Sequence, residues 1–119
     1  MKIIIDDIPL NCHKGYAKAT PRELEHITNG CGTSGWKGSL VPETMWGLNI
    51  QLACKIHDYD YWIYKSKKGK IIADNRFLDN LYTIIDTKTK WSWVKWLRKR
   101  RAYKYYLAVA HFGDSAFYA

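Results

Sequence analysis

The chain has 119 residues, 47% hydrophobic and 25% charged, a composition typical of one folded domain over residues 1–119 rather than of a disordered or fibrous protein. It contains no run of about 18 apolar residues, so we expect no membrane-spanning helix. Asp6 and Asp7 cut short the apolar start "KIII", so we expect no signal peptide. The net charge of +8 is concentrated between Asp86 and Asp114, where eight basic residues and no acidic one occur.

The three cysteines, Cys12, Cys31 and Cys54, stand at unrelated spacings. An odd number argues against a disulfide framework and for a reducing compartment, although one bridge is compatible with the sequence. Zinc bound by these cysteines and His13 would lack the paired ligand spacing of such sites. The cysteines therefore predict neither a dense framework nor a metal centre.

The first predicted elements are short. Residues 2–5 form an apolar run that fits a strand. In "TPRELEHI", a capping Thr20, Pro21 at the first helical position and Glu23 three residues after the cap predict a helix over residues 21–28. Residues 29–47 contain five glycines, a density that predicts a long structured loop, and loops of this length are usually functional or disordered.

Three longer helices are predicted next. Asn49 can cap a helix of about 18 residues that ends before Gly69, and one of its faces would carry Ala53, Ile56, His57, Tyr61 and Tyr64. The stretch "ADNRFLDNLYTII" predicts a second helix with Asp74 on its apolar stripe. A third runs from near Trp91 to Gly113. The sequence thus predicts a mainly α-helical domain in which the first two helices pack antiparallel.

Asp74 requires a partner, because a carboxylate on a buried helix face costs several kcal/mol unless hydrogen bonds satisfy it. The nearest groups on the preceding helix are His57 and Tyr61, one turn apart. A carboxylate that accepts from an imidazole N–H leaves the other ring nitrogen as a base. Asp58 points about 100° around the helix, and its carboxylate is a candidate calcium ligand together with carbonyls of the glycine-rich loop.

These motifs resemble a known family. "CG" in a glycine-rich loop, "HDYDY" on a helix and "AD..F" on the next helix are similar to the calcium-dependent phospholipase A2 superfamily, particularly its cysteine-poor bacterial, viral and phage branches. The tail "YYLAV..FG..AF" also resembles that of small phage-borne proteins. The resemblance covers roughly residues 29–85 and the tail.

The resemblance implies hydrolysis of the sn-2 acyl ester of glycerophospholipids with Ca²⁺ as cofactor. His57 would be the general base that activates water, Asp74 would orient it, and Tyr61 would share their hydrogen bonds. The implied metal ligands are one carboxylate and three loop carbonyls, from Asp58, Gly30, Gly32 and Ser34. The Gly32 amide would also stabilise the oxyanion of the cleaved ester.

The sequence departs from the family pattern at the helix pair and in the loop. Secreted members have a dense disulfide framework and a cysteine where this chain has Asp60, so we expect packing alone to hold the helix pair. Ser34 stands where a third loop glycine is usual, and additional residues separate the loop from the helix. Both differences bear on the geometry of a calcium loop.

The basic segment supplies a second group of candidate residues. Tryptophans alternate there with cationic side chains, at Trp91, Trp93, Trp96, Arg98, Lys99, Arg100 and Arg101. This mixture suits peripheral contact with an anionic phospholipid membrane, and it also suits single-stranded nucleic acid. A solvated helix face with tryptophans in the core is the third alternative.

Two other functions stay open. The first is a non-catalytic, phage-encoded binding protein or inhibitor that acts through residues 88–104 on a host protein or nucleic acid. The second is an HD phosphohydrolase using His26, His57 and Asp58, although that domain usually needs a larger helical bundle. For either enzyme or inhibitor, we expect a location in the cytoplasm of the producing cell, in a virion or peripherally at a membrane.

Overall fold

The computed structural model describes residues 2–5, 7–22, 44–45, 47–64 and 66–112, and this part of the chain is mainly α-helical, as predicted. Its elements are β1 (Lys2–Ile5), β2 (Ile8–Asn11), α1 (Lys14–Lys18), β3 (Thr44–Met45), β4 (Leu48–Asn49), α2 (Gln51–Ile63), α3 (Lys67–Lys88) and α4 (Ser92–Phe112). Pro21 and Arg22 are helical. The rest of the helix predicted over residues 21–28 lies outside the described residues.

Two short hairpins precede the long helices. The predicted strand β1 pairs antiparallel with β2, which the sequence analysis did not predict, from Lys2 opposite Asn11 to Ile5 opposite Ile8. Asp7 has a φ of 64° at the reversal, a conformation that Asp tolerates better than most residues. Strands β3 and β4 form the second hairpin, with Gly47 at a φ of 82°. The last residues of the predicted loop over residues 29–47 therefore belong to a hairpin.

A buried amide attaches the first hairpin to α3. The Asn80 side chain accepts from the Asn11 N–H at 2.8 Å and donates to the Asn11 carbonyl at 2.8 Å. Asn80 is fully buried, so these bonds satisfy both its amide group and the strand backbone. Helix α3 is thus in contact with β2 as well as with its neighbouring helices.

Gly69 does not lie where the sequence predicted. The preceding helix ends earlier, at Ile63, and Tyr64 has an extended backbone. Ser66 caps α3 by accepting from the Gly69 N–H at 3.0 Å, so Gly69 lies in the first turn of α3. A Cβ at this position would lie 2.6 Å from Tyr64 Cβ. The glycine therefore allows a close approach between Tyr64 and α3 instead of ending a helix.

The core forms around α3, which packs against α2, α4 and β2. The predicted stripe of α3 is confirmed, since Phe77, Leu81 and Ile85 are buried together with Asp74. Helix α4 runs unbroken to Phe112 and packs against α3. Helices α2 and α3 pack against each other, which brings their polar side chains together.

Candidate active site

His57 and Asp74 meet between α2 and α3, as predicted. His57 Nε2 lies 2.7 Å from Asp74 Oδ1, and the Tyr61 hydroxyl donates to the same oxygen at 2.6 Å. His57 is 0% exposed, Asp74 4% and Tyr61 6%. The three side chains predicted to act together therefore form one buried hydrogen-bonded cluster.

Aromatic rings hold the imidazole from two sides. The ring centroid of Tyr61 lies 4.2 Å from that of His57, and the Phe77 centroid lies at 4.8 Å. Tyr61 is one helical turn from His57 on α2, whereas Phe77 is on α3. This packing fixes the ring plane, so that Nε2 faces Asp74 and Nδ1 lies on the opposite edge of the ring.

The environment keeps Asp74 ionised. Burial raises the pKa of this carboxyl group, but the hydrogen bond and charge of His57 and the hydrogen bonds from Lys70 and Tyr61 outweigh burial, so the Asp74 pKa lies below its usual value. An ionised Asp74 accepts, which makes His57 Nε2 the donor. In the neutral form of the imidazole, Nδ1 then carries the lone pair that a general base requires.

Lys70 also belongs to this cluster, although the sequence analysis did not identify it. Its Nζ lies 2.8 Å from Asp74 Oδ2 and the residue is only 6% exposed. The signal was the spacing of Lys70 and Asp74, four residues apart on one helix, which places them one turn apart. Because Asp74 lies on the apolar stripe, this spacing was the available sequence signal that Lys70 is drawn into the core with it.

A buried ion pair joins the two helices beside the cluster. Arg76 Nη1 on α3 lies 2.8 Å from Asp60 Oδ1 on α2, and the Asp60 side chain is 0% exposed. The expectation that packing alone holds the helix pair was therefore wrong. The sequence analysis noted Asp60 because the family that the motifs resemble has a cysteine at this position. Its partner Arg76 lies 16 residues away, and no local sequence pattern indicates this pairing.

The predicted calcium ligands are only partly within the described residues. Asp58 is half-buried on α2, next to His57. The other predicted ligands, Gly30, Gly32 and Ser34, lie outside the described residues, as does the predicted oxyanion amide. Within the described ranges, no group of three His, Cys, Asp or Glu side chains is placed to hold a metal ion. One carboxylate fits a cation that takes its remaining ligands from backbone carbonyls.

The two described cysteines differ in whether they form a disulfide. Cys54 is disulfide-bonded, whereas Cys12 is a free, buried thiol whose pKa is raised by burial. Cys31 and the HD-type candidate His26 lie outside the described residues. The one bridge that the sequence left open thus exists at Cys54, one helical turn before His57.

The predicted basic surface divides into outward and inward side chains. Trp91, Trp93 and Trp96 are 67%, 66% and 57% exposed, so they are not core residues. The exposed Arg100 guanidinium lies over the Trp96 ring, 4.9 Å from its centroid, and Arg101 is also exposed.

The inward side chains of this surface bond to the protein itself. Arg98 is half-buried and donates to Thr89 at 2.8 Å. Lys99 pairs with Asp86 at 2.9 Å, and Lys95 lies 3.7 Å from the same carboxylate. The Asp86 carboxylate is therefore paired with two lysines of the basic segment.

A groove of about 810 Å³ lies away from the dyad. Its lining includes aliphatic side chains and two lysines, among them Ile8, Leu48, Leu52, Lys55, Ile84 and Lys88. Neither His57 nor Asp74 lines it. The groove is thus not the cavity that a reaction at His57 would use.

Comparisons with known proteins do not identify a family. No protein-family model, curated protein or solved structure matches the chain. Among the described residues, no helix has both the length and the apolar character that crossing a membrane demands. The site geometry and the sequence motifs therefore carry the functional argument.

Proposed function

We propose that this protein hydrolyses the sn-2 acyl ester of glycerophospholipids in a calcium-dependent reaction. The observation that carries this proposal is the 2.7 Å contact between His57 Nε2 and Asp74 Oδ1, with Tyr61 donating to the same oxygen. A carboxylate that accepts from Nε2 stabilises the imidazolium formed when Nδ1 takes a proton. The resemblance of the motifs to phospholipase A2 supplies the substrate class.

In the proposed reaction, His57 Nδ1 removes a proton from a water molecule whose oxygen attacks the ester carbonyl carbon. The carbonyl electron pair moves onto oxygen and gives a tetrahedral oxyanion. When this intermediate collapses, the bond to the glycerol oxygen breaks, and His57 returns the proton to that leaving oxygen. The products are a fatty acid and a lysophospholipid, and Asp74 stays ionised throughout.

Bound calcium would supply positive charge near the oxyanion. Asp58 would provide the anionic ligand, because it follows His57 directly in α2 and is half-buried. Loop carbonyls and the Gly32 amide are proposed to complete this site on the strength of the resemblance. The basic, tryptophan-bearing surface of α4 is proposed as the contact with anionic lipid.

The decisive assay is fatty-acid release from mixed anionic and zwitterionic phospholipid vesicles, with calcium or with a chelator. His57→Gln should lower turnover by about 10²- to 10⁴-fold, the usual contribution of a general base. His111→Gln is the matched control, since His111 is exposed near the end of α4. Equal release by native protein and His57→Gln, or no release by folded native protein with calcium, would refute the proposal.

The complete burial of His57 favours a second candidate. A lipid ester must approach Nδ1, and a residue that is 0% exposed requires an opening beside the ring before any substrate can do so. A non-catalytic protein needs no such opening and would act through the exposed tryptophans and Arg100. Binding of a fluorescent single-stranded oligonucleotide, measured over a range of salt concentrations, tests this candidate because phosphate contacts weaken steeply with salt.

A further inference from the structure

Lys70 is an unusual buried cation at the centre of the molecule. Lysine is almost never buried unless it is paired, and Lys70 is 6% exposed. Its Nζ lies 2.8 Å from Asp74 Oδ2, 3.2 Å from the Ala110 carbonyl and 3.5 Å from the Val109 carbonyl. These are three acceptors for the three N–H groups of an ammonium ion.

The three acceptors determine what Lys70 does. An amine that donates three hydrogen bonds, one of them to an ionised carboxylate, is protonated and has no lone pair to act as a base. Lys70 is therefore a fixed positive charge beside the dyad. It also contacts Oδ2, whereas His57 and Tyr61 share Oδ1, so the two oxygens of Asp74 are held by different groups.

The two carbonyls belong to the end of α4. The structure describes α4 as far as Phe112. Val109 and Ala110 lie in this last described turn, where side chains commonly bond to backbone carbonyls. A cation at this end also interacts favourably with the helix dipole. One ammonium group thus bonds both to the last described turn of α4 and to the carboxylate that orients His57.

We propose that Lys70 is a positioning residue for the His57–Asp74 dyad, which it holds by fixing the Asp74 carboxylate from the end of α4. This inference rests on the proposed function for its chemistry. Without the Oδ2 contact, Asp74 can rotate about its Cβ–Cγ bond and carry the imidazole away from the productive orientation. Misplacement of a catalytic group by about 1 Å lowers turnover by up to about 100-fold.

The first test compares Lys70→Met, Lys70→Arg and the control Lys67→Met, which alters an exposed lysine in the first turn of α3. With phospholipid vesicles, Lys70→Met should lower kcat about tenfold to 100-fold with KM unchanged, because Lys70 does not touch the lipid. Lys70→Arg keeps the charge and should recover part of kcat. A folded Lys70→Met with native kcat would overturn the inference.

The second test uses no substrate, so it separates this inference from the proposed function. In the ¹H NMR spectrum of the folded native protein, the His57 Nε2 proton should give a low-field signal because it is bonded to Asp74. Lys70→Met should shift or broaden that signal, and Lys67→Met should leave it in place. An unchanged signal in Lys70→Met overturns the inference, even for a protein that hydrolyses no lipid.

A third measurement does not depend on Lys70→Met, so it guards against failure of that variant to fold. In native protein labelled with ¹⁵N at the lysine Nζ atoms, the buried, hydrogen-bonded ammonium of Lys70 should remain visible at neutral pH, where exposed ammonium protons exchange too fast. Its assignment follows from the loss of that signal in Lys70→Arg. Absence of any such slowly exchanging signal would refute the inference.

Discussion

At the residue scale, the Asp74 carboxylate determines how the site responds to acid. Its pKa is lower in the folded protein than its usual value, since hydrogen bonds from His57, Lys70 and Tyr61 outweigh the effect of burial. The ionised form therefore stabilises the fold. This contribution is fully present above the unfolded-state pKa of about 4 and is lost as the pH falls through the lower folded-state pKa.

We therefore expect the stability difference between the native protein and Asp74→Asn to be constant near neutral pH and to shrink below about pH 4. Urea unfolding at a series of pH values measures it, and subtraction of the two curves removes the contribution of the other carboxylates. A difference that stays constant down to the acid limit, or grows there, would contradict the assigned direction of the shift.

The predicted and missed residues of the cluster differ in one physical respect. His57, Tyr61 and Asp74 were predicted because a lone carboxylate on an apolar stripe demands a partner on the facing helix. Arg76 escaped prediction because long, flexible side chains can reach several partners, and the choice depends on how the helices cross. Lys70 was missed although its spacing of four residues from Asp74 was visible in the sequence, because the search for partners of Asp74 considered only the facing helix.

At the scale of the elements, the ion pair between Arg76 and Asp60 joins α2 and α3. Arg76→Met removes a partner of Asp60, whose side chain is 0% exposed. Breaking a buried pair from one side costs about 3–5 kcal/mol. We expect a loss of this order in the free energy of unfolding, measured by chemical denaturation.

Arg100→Met is the control for that experiment, because Arg100 is exposed and contacts the Trp96 ring. Its effect should stay within about 1 kcal/mol, as expected for an exposed cation–π contact. An equal loss of unfolding free energy in the two variants would mean that the pair between Asp60 and Arg76 stabilises the fold no more than a surface contact does.

The connection between α2 and α3 makes a separate prediction. Gly69→Ala should destabilise the protein although alanine favours a helix, because its Cβ would lie 2.6 Å from Tyr64 Cβ, an atom fixed to the backbone. Overpacking of this kind costs about 1–3 kcal/mol, against a gain of about 1 kcal/mol in helix propensity.

The matched background for Gly69→Ala is Tyr64→Gly, which removes the clashing Cβ. In the Tyr64→Gly background, Gly69→Ala should be neutral or stabilising. Thermal unfolding of the native protein, the two single variants and the double variant gives the coupling between the two positions. If Gly69→Ala is equally harmful in both backgrounds, the close approach of Tyr64 is not its cause.

The elements themselves were predictable to different degrees. Long helices with a clear apolar stripe, such as α3, were found because burial imposes the helical period. The hairpins and the true start of α3 were not, because Gly, Asp and Ser signal both the end and the start of elements. Gly69 was interpreted as a helix stop, but it serves a contact with Tyr64 that only the folded chain creates.

At the scale of the whole molecule, α4 presents a surface suited to an anionic membrane. Trp93, Trp96, Arg100 and Tyr103 follow one another at spacings of three and four, which places them on one helix face, and all four are exposed. Lys99 already neutralises Asp86. We expect the protein to bind anionic vesicles more tightly than zwitterionic ones, and to do so less tightly as salt is added.

The double variant Trp93→Ala, Trp96→Ala should weaken vesicle binding by about tenfold or more, because each indole ring contributes apolar burial at the interface. Co-sedimentation with vesicles measures this. Trp62→Ala is the control, since Trp62 is 52% exposed but lies on α2. The surface assignment fails if Trp62→Ala weakens binding as much as the double variant does.

The bond pattern of Asn80 has a consequence for how molecules of this protein meet one another. Its amide accepts from the Asn11 N–H and donates to the Asn11 carbonyl, so it fills the two positions that a neighbouring strand would use. An uncovered strand edge is a template for pairing with another chain. Helix α3 therefore prevents another strand from pairing with this end of β2, which protects the protein against edge-to-edge aggregation.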